Sequence, residues 1–361
     1  DTCADPTTTY DTSATAAHEQ GLKVLQVFHS TPGWALEPAL DGEKARNRFP
    51  RDLRHVHDFC TTMAARFEGR VQAWEPWNEA NIEPFGGHLI NEMCSLQKAA
   101  WFGLKKGDPD ILVCWNVFAG SGGRFHTEGV LENETWPYYE TYNIHTYSSP
   151  ESYLSQFEGP REAACGKPIW LTECGIRLQT EDAAPWGDLS REDELRQAEF
   201  IARSYASSLY AGVDRHFFFI LGNYIERGVQ FGLLRHDLTP RPGYVALAAV
   251  GRMLAGAEPV GRQLLDEDAA AWAYVFRMNH GMHAADLVVA WSEKPFAWTT
   301  PFEVQHAYDY LGRELVDYAP ARVTPKPLFL VTAKGAASSM ELETPPAISD
   351  ARDGVPCPVV L

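Results

Sequence analysis

The chain has 361 residues, of which 45% are hydrophobic and 22% charged, an ordinary globular balance that excludes a disordered or collagen-like chain. Its length sets a prior of about two domains and is enough to bury a large core. Thirty-one Lys and Arg against 48 Asp and Glu leave a formal charge of −17. No basic run offsets it, so neither nucleic acid nor an anionic membrane is an expected partner.

Apolar stretches such as 217–221 fall far short of the ~20 residues that span a bilayer. The start, Asp1-Thr2-Cys3-Ala4-Asp5-Pro6, has neither the basic region nor the apolar core of a signal peptide. It also lacks Met, which reads as a processed, trimmed or fragmentary beginning. Seven cysteines (Cys3, Cys60, Cys94, Cys114, Cys165, Cys174, Cys357) are widely spaced, without a C-x-x-C. That is no disulfide framework or zinc site; reduced, buried thiols are expected. They favour a reducing compartment such as the cytoplasm, with secretion after signal removal left open.

In chain order, a helix is expected at 12–20, then a strand at 23–29 (KVLQVFH) and a helix at 52–67 with Leu53, Val56, Phe59, Cys60, Met63 and Phe67 on one face. A strand at 71–77 (VQAWEPW), a helix at 91–106 and strands at 111–117, 142–147 and 169–172 follow. Ser190 and Asp193 read as a capping box opening a helix at 191–210. A strand at 216–221 and a helix at 242–254 close the series. Apolar strands alternating with helices mean parallel β/α units. From Trp272 the pattern changes: runs at 272–278, 286–291, 302–308 and 328–332 read as antiparallel strands. The expected domains are therefore 1–256 (β/α barrel), 257–335 (β-sandwich-like module) and a tail, 336–361, rich in Ala, Ser and Pro.

Two glutamates close strands: Glu79 in Trp74-Glu75-Pro76-Trp77-Asn78-Glu79-Ala80-Asn81, and Glu173 in Ile169-Trp170-Leu171-Thr172-Glu173-Cys174-Gly175. In a parallel β/α barrel the C-terminal strand ends converge on one mouth. Two strands three apart face each other, so the two carboxylates could flank one bond. Glycoside hydrolysis needs that pair, an acid on the leaving oxygen and a carboxylate on the far side of the anomeric carbon.

W-x-x-W-N-E followed by L-T-E-x-G resembles glycoside hydrolase clan A, closest to families 39 and 5. The resemblance runs from Thr31-Pro32-Gly33-Trp34-Ala35 to the strand at 216–221, about 200 residues. It implies a (β/α)8-type TIM barrel of retaining β-glycosidases, with Glu79 as acid/base and Glu173 as nucleophile. Asn78 would bond the sugar 2-hydroxyl. His145-Thr146-Tyr147 looks like the clan's H-x-Y, with Tyr147 donating to the nucleophile and His145 touching sugar or the acid/base. Trp34 and Trp77 are candidate sugar-stacking rings, Trp34 the better placed because it follows a strand end. Asn116, Asn223 and Tyr224 are candidate rim residues. Glu75 reads as a surface charge or a buried supporting carboxylate.

Other signals lead nowhere. Gly120-Ser121-Gly122-Gly123-Arg124 lacks the G-K-[ST] of a phosphate loop, and His55 and His57 cannot share a helix face. No metal or cofactor is expected, since two carboxylates suffice. Only about six β/α units are countable before the β module, so the barrel reads as incomplete and lacking its first two units. Its open side would be covered by terminal segments or by a second copy in a homo-oligomer. The expected substrate is a terminal β-galactoside or β-glucoside, with β-xyloside next. An endo-β-glycanase and a non-catalytic carbohydrate-binding or scaffold protein are the rival readings.

Overall fold

The computed structural model describes residues 9–38, 43–180, 186–278, 284–316, 318 and 322–357. The opening segment with Cys3 and the last residues of the tail lie outside them. Helix α1 (Thr9–Glu19) leads to β1 (Leu25–Phe28), α2 (Arg54–Arg66), β2 (Ala73–Pro76), α3 (Ile90–Gly107), β3 (Leu112–Val113), α4 (Arg124–Glu132) and β4 (Tyr142–Thr146). Two short helices, α5 (Tyr153–Gln156) and α6 (Glu158–Ala163), precede β5 (Ile169–Cys174) and β6 (Leu178–Gln179). Then come α7 (Arg191–Tyr210), β7 (Val213–Phe218), β8 (Ile225–Glu226), β9 (Val229–Gln230) and α8 (Pro242–Leu254). The last strands are β10 (Glu258–Asp266), β11 (Ala271–Met278), β12 (Ala285–Trp291), β13 (His306–Asp309) and β14 (Leu328–Ala333).

By contacts the chain forms two compact units: Asp1–His145 with Glu158–Trp170 and Ile348–Leu361, and Thr146–Phe157 with Leu171–Ala347. In the first unit β1, β2 and β3 are parallel neighbours, with Leu25 opposite Ala73 and Ala73 opposite Leu112. A parallel bridge from Cys114 to Thr141 extends the order to β4. Helices α2 and α3 touch backbone to side: a Cβ on Gly103 or Gly107 would run into the carbonyl of His57 or Thr61. Glycine there permits a close crossing that any larger residue would push apart. The tail returns to this unit, where the Cys357 N–H bonds the Tyr138 hydroxyl at 3.1 Å and the Gly166 N–H bonds Ser349 Oγ at 3.2 Å.

In the second unit α7 begins on Ser190, whose Oγ accepts the Asp193 N–H at 3.1 Å, and Glu192, Asp193 and Glu194 occupy its first turn, where the helix dipole favours acids. Pro242 opens α8 at a position that needs no N–H. In the antiparallel sheet β10-β11-β12-β14-β13 the inner strands β11 and β12 are buried on both faces. Tyr274, Phe276, Leu287, Val289 and Trp291 join a core with Ile201 of α7 and Val250 of α8. Ala273, Val275, Val288 and Ala290 alternate with them and meet Val323, Leu330 and Met340 in a second core. This is the period-two pattern of a strand with two dry faces.

Several boundaries differ from the sequence expectation. Strand β10 was not anticipated, because Pro259, Gly261, Arg262 and Gln263 give it no apolar alternation; two register shifts against β11 carry it past them. Strand β7 lies three residues earlier than 216–221 at both ends. The apolar run Phe217–Leu221 is partly loop, with Leu221 exposed. Strand β3 is a two-residue strand within the expected 111–117, and β13 shrinks to His306–Asp309. Cys60, Cys94, Cys114, Cys165 and Cys174 are free and buried, and Cys357 is free and exposed.

Candidate active site

The first unit holds one of the two motif carboxylates with its supports. Strand β2 ends at Pro76, and the chain then turns sharply: Trp77 has φ 74° and Glu79 φ 43°, left-handed values that L-residues rarely adopt. Trp77 holds this turn. It is buried, its N–H bonds the Phe28 carbonyl at 2.8 Å and its indole N–H the Phe85 carbonyl at 3.0 Å. Its ring lies edge-on to Phe49 at 4.9 Å. Trp77 therefore anchors a loop and its ring is buried, which corrects the sugar-stacking expectation for it. Asn78, between the two left-handed residues, is half-buried, and among the described residues no hydrogen bond engages its amide.

Glu79 meets His145 of β4, with Oε1 3.0 Å from Nδ1. On its other side His145 Nε2 lies 3.8 Å from Oε1 of Glu75. Glu75 is fully buried, and the Asn143 amide donates to its other oxygen. Thr141 in turn donates to Asn143 Oδ1 at 2.8 Å. A line of polar groups therefore runs from Thr141 through Asn143, Glu75 and His145 to Glu79. It fixes the imidazole between two carboxylates, so the buried one can orient the ring and the outer one can exchange a proton with it. Of the two readings of Glu75, the supporting carboxylate is the observed one. Asn143 was missed. Its signal was available, since 143, 145 and 147 share one face of a strand.

The second unit holds the other motif carboxylate, Glu173. Tyr147 donates its hydroxyl to Glu173 Oε1 at 2.6 Å. A short O–H to a carboxylate favours the charged form. The Tyr147 ring is boxed edge-on by Phe231 at 5.6 Å and Phe219 at 6.5 Å. Tyr224, 41% exposed, leans on both of those phenylalanines. The Arg177 guanidinium lies over the Tyr147 ring, 4.9 Å from its centroid. Below Glu173, the buried Cys174 thiol touches Tyr153 at 3.2 Å and Ser204 at 3.3 Å, and burial pushes it up to about 11. It is an inert filler, not a nucleophile.

The remaining candidates divide. Trp34 stands 67% exposed after β1, its ring edge-on to His55 at 4.8 Å. Asn116 is fully buried, its amide held by the Met93 carbonyl at 2.9 Å and Gln97 Oε1 at 3.0 Å. It ties α3 to the end of β3, which corrects the rim expectation. Asn223 is engaged by Gln230 Nε2 at 2.8 Å and by the Trp186 carbonyl at 3.2 Å, so it braces the loop after β7.

No family model matches the sequence, and no curated protein matches it. Solved structures do. A family 39 glycoside hydrolase from the gut symbiont Bacteroides cellulosilyticus WH2 aligns with a TM-score of 0.69 at 20% identity, over 90% of this chain and 70% of that one. A glucosidase from Croceicoccus marinus aligns with 0.61 at 13% identity, over 92% and 83%. A glycoside hydrolase family 30 subfamily 8 xylanase from Clostridium acetobutylicum aligns with 0.60 at 13% identity, over 89% and 82%. Likeness at these identities is likeness of fold, and it agrees with the resemblance carried by the motifs. This chain shares the α/β barrel-type fold of these solved glycoside hydrolases.

Proposed function

We propose that the protein is a retaining β-glycosidase in which Glu173 is the nucleophile and Glu79 the general acid/base. The observation that carries this reading is that the two motif carboxylates are equipped differently. Glu173 accepts a phenol hydroxyl at 2.6 Å, which suits an ionised nucleophile. Glu79 faces an imidazole at 3.0 Å, which suits a group that must give and regain a proton. The reading requires the two carboxyl groups to approach within about 5–5.5 Å across the scissile bond.

Glu173 attacks the anomeric carbon while protonated Glu79 delivers its proton to the departing oxygen. A glycosyl ester forms on Glu173, and its charge is neutralised. Glu79, now a carboxylate, deprotonates a water that attacks the same carbon. The C–O bond to Glu173 breaks, the sugar leaves with retained configuration, and both residues regain their starting states. Asn78 would hold the 2-hydroxyl, and the open ring of Trp34 a sugar face. Terminal β-galactosides or β-glucosides are the first expectation and β-xylosides the next. The reading includes an incomplete barrel whose end strands β1 and β7 are covered by terminal segments or a second copy. Light scattering tests the second copy.

The experiment is hydrolysis of aryl β-galactoside, glucoside, xyloside, mannoside and fucoside by the wild type, Glu173→Ala and Glu79→Ala. Turnover of one sugar that falls ~10³-fold or more in Glu173→Ala supports the assignment. Azide should rescue Glu173→Ala with inverted product. Internal cleavage of a polysaccharide with no aryl glycoside turned over would favour the endo-glycanase. Sugar binding with no turnover, unchanged by Glu173→Ala, would favour the binding protein.

A further inference from the structure

Close to Glu173 in the chain lies an arginine with no carboxylate partner among the described residues. Arg177 follows Glu173 by four residues in an acidic chain, yet among the described residues its guanidinium has no ion pair. It lies instead over the face of Tyr147, 4.9 Å from the ring centroid. That ring is fixed from other sides by Phe231 and Phe219. Gly175, between Glu173 and Arg177, has no side chain to intrude: a Cβ there would lie 3.2 Å from Tyr147 Cε1. The tyrosine hydroxyl donates to Glu173 at 2.6 Å. The order is therefore cation, aromatic ring, O–H, carboxylate, all within the second unit.

We infer that Arg177 is a positioning residue that tunes Glu173 through Tyr147. A cation on the ring face draws electron density from the phenol and makes its O–H a stronger donor. The stronger donor holds Glu173 in its charged form. The inference rests on the proposed glycosidase reading for its purpose but not for its physics. The titratable groups around the carboxylate are Tyr147, the neighbouring Cys174 thiol and, in the proposed site, Glu79 and His145. Among the described residues, the one of these in contact with Arg177 is Tyr147.

The test compares wild type, Arg177→Met, Arg177→Lys, Tyr147→Phe and the double variant Tyr147→Phe/Arg177→Met. The titration of Glu173 is read by carboxyl carbon NMR, assigned from its loss in Glu173→Gln, and by the acidic limb of kcat/KM on the best aryl glycoside. Arg177→Met is expected to raise both by about half a pH unit, the size of an exposed cation–π contact. Activity on the acid side of that limb then falls about threefold. Arg177→Lys should restore most of the shift, and Arg177→Met should add nothing in the Tyr147→Phe background.

An unmoved titration in Arg177→Met overturns the inference, as does a full shift in the Tyr147→Phe background. Lost activity confined to glycosides bearing a carboxylate, with the titration unmoved, would make Arg177 a substrate contact and also overturns it. If the wild type turns over no glycoside, the NMR titration still decides the inference, and the failure belongs to the proposed function alone.

Discussion

Replacing Gly175 with alanine tests how tightly the second carboxylate is built. The added Cβ would lie 2.7 Å from the Phe219 carbonyl oxygen and 3.2 Å from Tyr147 Cε1. Ordinary carbon–oxygen and carbon–carbon contacts start several tenths of an ångström farther out, so something must move. The carbonyl belongs to a residue whose own N–H bonds the Cys174 carbonyl at 2.7 Å, and the tyrosine is boxed by two phenylalanines. Neither neighbour is the free end of a flexible side chain. Overpacking of this kind costs about 1–3 kcal/mol. Moving the ring also lengthens a hydroxyl–carboxylate bond of 2.6 Å; charge-assisted bonds contribute about 1.5–3 kcal/mol, so kcat should fall roughly tenfold or more. Urea denaturation and steady-state kinetics read the two effects. Gly251→Ala is the control, with open space around its Cβ on the exposed side of α8; it should gain about 0.5–1 kcal/mol from helix propensity. Wild-type stability and activity in Gly175→Ala would refute the packing argument.

Tyr147→Phe keeps the ring contacts and removes only the donor. It should lower kcat/KM about 10–100-fold near neutral pH, with a stability change under about 1 kcal/mol, measured by kinetics beside urea melts. Ser190→Ala removes the cap on the Asp193 N–H and should cost about 1 kcal/mol by the same melts. His216 sets an acid limb. Its ring is stacked on Tyr205 at 3.8 Å and bonded to Ser208 at 2.8 Å, and burial pushes it from 6.5 down to about 3. Above pH 6.5 the imidazole is neutral in both states; below it the unfolded chain binds a proton that the folded chain refuses. Stability should therefore fall by about 2 kcal/mol from pH 6.5 to 5 on this account, and that loss should vanish in His216→Phe. An equal loss in the variant would assign the slope elsewhere.

How much of this was legible depends on whether the signal is local. Helices α7 and α8 begin and end where expected because their starts are written in adjacent residues, a serine cap with an acidic turn and a proline at the first position. Strand β4 and the pairing of Tyr147 with Glu173 were expected from H-x-Y and L-T-E. Strand ends were harder. A short apolar run shows that a segment is buried but not where its ladder stops, so β7 lies three residues ahead of the apolar run at 216–221. The side on which a residue falls after a strand end was not legible at all. Trp77 and Asn116 follow strands just as Trp34 does, yet the first two turn inward and only Trp34 stays open. A left-handed residue reverses the direction of the next side chain, and nothing in Trp77 itself announces φ 74°.

Arg177 marks the other limit, since a cation over a ring thirty residues earlier in the chain leaves no spacing to read. Asn143 lies between these cases. Strand alternation places it on the same side as His145 and Tyr147, and an amide on that side must find a partner when it is buried. The buried carboxylate that needs a donor is Glu75, on a neighbouring element. Each serves the other: a buried carboxylate such as Glu75 is costly without donors, and the Asn143 amide N–H is one of its donors. Read as a pair, they account for each other and for the fixed orientation of His145. Asn143→Leu should therefore disturb the Glu79 half of the site and leave the Tyr147–Glu173 bond intact. In kinetics, the basic limb of the pH profile should move while the acidic limb stays in place; movement of the acidic limb alone would refute that division of labour.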